Sequence, residues 1–139
     1  MAQRLMDYFN KQPRIGTLST ASRDGKVDAA VFGSPHMVDE KTIMMGFGDN
    51  RSLANLQENP NAVYLIMEPG ESIMDWKGVR VYLKMTASDT SGAMLQNLKQ
   101  QIAEVAGEQA AEMIHAAASF EITEVRPLID IGQGWEASI

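Results

Sequence analysis

Between Val79 and Ala87 every second residue is apolar: Val79, Val81, Leu83, Met85 and Ala87 alternate with Arg80, Tyr82, Lys84 and Thr86. A period of two is that of a strand with one face on a core. Shorter runs carry the same expectation. Residues 15–20 are rich in β-branched side chains, and residues 26–34 place Val27, Ala29 and Val31 on one face. Residues 42–47, the dense apolar run 62–67 and the run 119–125 complete the predicted strands. Turn chemistry separates them: Arg23-Asp24-Gly25 is a hairpin signal, Pro35 ends the second strand, and residues 38–41 and 69–72 read as turn and loop.

Helical spacing appears in three places. Residues 2–11 set Leu5, Met6 and Phe9 on one face and stop at Pro13. Residues 51–58 form a short helix broken by Asn59-Pro60-Asn61. Residues 92–116 carry Met94, Leu95, Leu98, Ile102 and Val105 as a stripe, with Gly107 dividing one helix from another. Residues 132–139 read as a tail. Antiparallel strands interrupted by short helices predict an α+β chain, mainly β: a small barrel with peripheral helices. A barrel this small fills its interior with side chains, so a ligand would sit outside it, where two subunits meet.

At 139 residues, the chain is expected to be one domain spanning 1–139. The net charge of −6 argues against nucleic acid or a membrane surface as partner. Having no cysteine removes disulfides, thiolate metal sites and Cys nucleophiles together. The polar start Gln3-Arg4 and the lack of a long apolar run lead to the expectation of a cytoplasmic protein without a leader or span. Ten methionines read as flexible packing rather than a thioether metal site.

Candidate chemistry concentrates at the start of the 51–58 helix. Unpaired N–H groups there carry partial positive charge. Arg51 and Ser52 add a guanidinium and a hydroxyl, and Asn50 is placed to cap. Arg is not the charge a helix N-terminus prefers, and a bound phosphate monoester would relieve that mismatch.

The order strand, Asp-Gly turn, strand, turn, strand, Arg-Ser helix and Asn-Pro break resembles the FMN-binding split barrels, which include pyridoxamine 5′-phosphate oxidase and small bacterial FMN-binding proteins. The resemblance covers about residues 14–88 and is carried by Asn50-Arg51-Ser52, Asn55-Leu56 and Asn59-Pro60. It implies a small antiparallel split β-barrel and a homodimer with FMN near the interface. Arg51 and Ser52 would hold the phosphate. The main chain of Ala30, Val31, Phe32, Gly33 and Ser34 would run along the isoalloxazine ring, and Gly46, Phe47 and Gly48 would border the ribityl chain and phosphate. Trp76 or Trp135 would cover the ring from the partner subunit.

No catalytic side chain stands out. His36 and His115 (the latter expected late in a helix) have no evident partners, and no nucleophile–base pair or metal-ligand spacing appears. A flavin that performs the redox step makes this natural. The resemblance thus implies an oxidoreductase acting on a small molecule, or a small electron carrier exchanging with NAD(P)H or a redox protein. The C-terminal residues 132–139 lack the Arg and His that pyridoxamine-phosphate oxidation uses, which argues against that reaction. The alternative is a scaffold without FMN, dimeric and binding haem, a deazaflavin or a protein partner.

Overall fold

The computed structural model describes residues 2–139. Helix α1 (Ala2–Asn10) leads into strands β1 (Ile15–Ala21), β2 (Val27–Val31), β3 (His36–Met37) and β4 (Thr42–Phe47). Helix α2 (Arg51–Glu58), strands β5 (Asn61–Glu68) and β6 (Lys77–Asp89), helices α3 (Ala93–Ala106) and α4 (Glu108–Glu112) and strand β7 (Ala116–Pro127) follow. Single 3-10 turns occur at Ile73–Asp75 and Trp135–Ser138.

The strands form one seven-stranded sheet in the order β2-β1-β5-β6-β7-β4-β3, every pair antiparallel. The α+β expectation is met. β6 pairs with β5 along one edge and β7 along the other, with register shifts at Tyr82/Leu83 and Met85/Ala87. Such irregularities bend a long strand and raise its twist, which curls the sheet. The enclosed space is filled by Leu18, Met45, Phe47, Tyr64, Val81 and Phe120, all fully buried, and α1 adds Phe9. Among the described residues, these side chains pack the interior of the barrel.

Glycine permits one close approach of the β5 and β6 backbones. Gly78, the second residue of β6, pairs with Met67 at φ +152, and a Cβ there would stand 1.9 Å from the Ile66 carbonyl oxygen. Only glycine lets the two backbones meet so closely.

Five details depart from the sequence reading. β2 stops at Val31 instead of reaching residue 34, and its Val27, Ala29 and Val31 face outward rather than onto the core. β3 is only two residues long, too short for any periodicity to register. β7 begins at Ala116, not 119, because Ala116, Ala117 and Ala118 pair with Phe47, Gly46 and Met45 on β4. Alanine favours helices by propensity, but here its small volume fits a buried strand, and packing overrides propensity. The helical region ends at Glu112, so His115 lies in the connection before β7 rather than in a helix. The tail is anchored: Arg4 Nη2 donates to the carbonyls of Glu136 (2.9 Å) and Ile139 (3.1 Å), and Trp135 packs on the core.

Candidate functional site

The two edge strands of the sheet, β2 and β3, are joined by residues 32–35, and this connection closes the barrel against β4. Paired residues His36 with Met44 and Met37 with Ile43 set the register of β3 on β4. Two residues earlier the same register places Ser34 opposite Gly46. There a side chain replaces the ladder: Ser34 Oγ accepts from Gly46 N–H and donates to Gly46 C=O, both at 3.0 Å. Phe32 and Phe47 meet edge to face beneath it, centroids 5.1 Å apart.

Around this seam the predicted segments come together. Phe32 and Ser34, in the connection after β2, meet Phe47 and Gly46 directly, and the chain beyond β4 passes Gly48 into α2. A Cβ on Gly48 would lie 3.8 Å from Asn50 Nδ2. Asn50 caps α2 as expected, its Oδ1 accepting from Leu53 N–H at 3.0 Å. Its carbonyl takes the Ala54 N–H. The amides of Arg51 and Ser52 are left as the free donors of the helix start. Arg51 is exposed and makes no ion pair among the described residues, whereas Ser52 is buried at 2% exposure. The two residues therefore face different sides of the first turn. Inside the helix, Asn55 Nδ2 donates to Thr20 Oγ1 on β1 at 3.0 Å and fixes α2 to the sheet.

The glycines of the site differ in purpose. Gly33 is exposed, and a Cβ on it would meet nothing within 4 Å. Gly46 is buried, with Leu98 and Ile114 about where its Cβ would press, at 3.0 and 3.1 Å. Its small size serves helix–sheet packing. Val27 and Val31 stand out from β2 at 83% and 79% exposure, leaving an apolar outer face beside the seam.

Several contributors were not legible as site residues. Arg14 Nη1 donates to the Phe9 carbonyl (2.6 Å), and its Nη2 donates to the carbonyls of Gly33 (3.0 Å) and Pro35 (2.8 Å). Its guanidinium carbon lies 5.2 Å from the ring centroids of both Phe9 and Tyr64. Tyr64 Oη donates to the Phe32 carbonyl at 2.6 Å. Burial pulls the Arg14 guanidinium below its usual range and pushes the Tyr64 phenol up. Asn10 grips Met37 through both main-chain groups, at 2.8 and 2.9 Å. His115 also adjoins the seam: its N–H donates to the Phe47 carbonyl at 2.7 Å, and its side chain is exposed. His36 is exposed on β3. Trp76 is half-buried after the 3-10 turn Ile73–Asp75. No group of three or more metal-ligating side chains occurs among the described residues.

No protein-family model matches the sequence, nor does any curated protein. Solved structures do. An FMN-binding protein from Syntrophomonas wolfei subsp. wolfei superposes with a TM-score of 0.76 at 23% identity, covering 92% of this chain and 84% of that one. HutZ, the haem storage protein from Vibrio cholerae, gives a TM-score of 0.68 at 12% identity over 89% and 92%. An F420 reductase gives 0.63 at 12% identity over 86% and 94%. Identities this low speak to architecture alone. The chain has the split-barrel fold of the FMN-binding proteins that its helix-start pattern resembles.

Proposed function

We propose that this chain is an FMN-binding flavoprotein, an oxidoreductase for a small molecule or a small electron carrier, working as a homodimer in the cytoplasm. One observation carries the reading: residues 30–34 at and beyond the end of β2, residues 46–48 at the end of β4 and the capped start of α2 converge on one seam. There an exposed Arg51, without an ion pair among the described residues, stands beside the amides of the helix start. A phosphate monoester suits that corner chemically. The open space at Gly33 suits a flat ring system lying against the main chain.

FMN bound there would supply the electron transfer; the chain would bind it, orient it and tune its potential through hydrogen bonds. With the barrel interior filled, the cofactor would lie on the outer surface, beside the exposed valines of β2, which a second subunit would cover. Trp135 is engaged with its own core, so Trp76 is the better candidate to reach across and cover the ring. The tail 132–139 has neither Arg nor His. This favours a substrate other than pyridoxamine phosphate. NAD(P)H or a redox protein would then reduce the flavin.

The test is the visible spectrum of protein purified without added cofactor, repeated after FMN is supplied. Flavin absorption bands, with stabilisation by about 2.7 kcal/mol at a hundredfold excess over Kd, support the reading. Colourless protein whose melting temperature ignores FMN refutes it. A haem reading is favoured by one observation, the exposed His115 beside Phe47 at the seam. It predicts instead a Soret band on haem addition that the substitution His115→Ala abolishes.

A further inference from the structure

The connection between β2 and β3 spends its polar groups unevenly. Phe32 N–H donates to the Gly16 carbonyl at 3.1 Å. The Phe32 carbonyl takes the Tyr64 hydroxyl, and the carbonyls of Gly33 and Pro35 take Arg14. Among the described residues, three main-chain groups of residues 32–35 are left without a protein partner: Gly33 N–H, Ser34 N–H and Ser34 C=O. Two donors and one acceptor complement the acceptor–donor–acceptor pyrimidine edge of a flavin.

A planar trans peptide points its C=O and the following N–H in opposite directions. Fixing one therefore aims the other. The Gly33 carbonyl is drawn toward Arg14, whose guanidinium sits against the fully buried rings of Phe9 and Tyr64. The Ser34 N–H of that same peptide is thereby turned away from the core. Tyr64 does the same for Gly33 N–H by holding the Phe32 carbonyl. We propose that Arg14 is a positioning residue for the flavin, holding the Gly33 carbonyl inward so that Ser34 N–H faces the pyrimidine edge of the ring, with Tyr64 setting Gly33 N–H. This rests on the flavin reading above.

The experiment compares riboflavin, which has no phosphate, with FMN. Dissociation constants are measured for folded wild type, Arg14→Lys and Arg51→Ala, well below each melting temperature. Lysine keeps the charge but loses the fork that serves three carbonyls. Arg14→Lys should weaken both ligands by the same factor, about tenfold for one hydrogen bond lost, and shift the reduction potential of bound FMN. Arg51→Ala should weaken FMN and spare riboflavin. In wild type, the amide resonances of Gly33 and Ser34 should move on riboflavin addition.

A merely structural Arg14 would lower the melting temperature and leave the riboflavin affinity and flavin potential of folded protein unchanged. That result, or amides of Gly33 and Ser34 that ignore riboflavin, overturns the assignment while FMN binding by wild type stands. Wild type that binds neither ligand removes both readings. Should Arg14→Lys not fold, Tyr64→Phe and the wild-type amide titration decide the matter in its place.

Discussion

Ser34 Oγ is 3.0 Å from both the amide nitrogen and the carbonyl oxygen of Gly46, so one hydroxyl stands in for a rung of the sheet. Gly46 is buried. Ser34→Ala would strip partners from two main-chain groups at once. Each unsatisfied group costs about 1–3 kcal/mol, less whatever water recovers. We expect the midpoint of urea unfolding to fall, with the slope unchanged. Ser34→Thr, which keeps the hydroxyl, should recover most of the loss.

Arg51 separates binding from stability. It is exposed and makes no ion pair among the described residues, so Arg51→Ala should change the stability of the protein without cofactor by under about 0.5 kcal/mol. FMN affinity should nonetheless drop by the roughly 1.5–3 kcal/mol of a charge-assisted hydrogen bond, read by quenching of flavin fluorescence. Asn50→Ala should behave differently: losing the cap on Leu53 N–H costs about 1 kcal/mol with or without cofactor.

Gly78→Ala tests the close approach of β5 and β6. The added methyl would meet the Ile66 carbonyl oxygen at 1.9 Å, in backbone at φ +152 that a side chain rarely adopts. Rigid backbone cannot yield as a flexible side chain would. We expect a loss beyond the roughly 1–3 kcal/mol of ordinary overpacking, seen as insoluble expression or a large fall in melting temperature.

Acid should loosen the end of β5. Lys11 Nζ lies 2.8 Å from Glu68 Oε1 and holds that carboxyl below its ordinary 4.5. A depressed folded-state pKa adds stability above the unfolded value, and that stability is lost as pH falls through the folded one. The pair is partly exposed, so its contribution is at most about 1 kcal/mol after solvent screening. Glu68→Gln should therefore flatten part of the decline in unfolding free energy below pH 4.5, measured by urea titration at stepped pH.

What the sequence discloses depends on whether a feature is local. The bounds of α2 coincide with the expected 51–58 because a capping Asn50 and the Asn59-Pro60 break are neighbours in the chain. The alternation in β6 and the Gly107 division between α3 and α4 are local too, and both stand. The family resemblance sets Ser34 and Gly46 beside a cofactor, but nothing adjacent to either foretells that they bond to each other. Arg14 reaches carbonyls 19 and 21 residues away, and a lone arginine before a strand carries no mark of that. The early start of β7 was hidden because alanine volume matters only against a specific neighbour.

Closing a cylinder with a hydroxyl and a guanidinium, in place of a continuous ladder, decouples its rim from its staves. Exchanging one residue at that join alters the shape and polarity offered to a visitor while the order of the seven strands stays as it was. Point substitutions along 32–35 thus offer the simplest route to a protein of this frame with a different appetite.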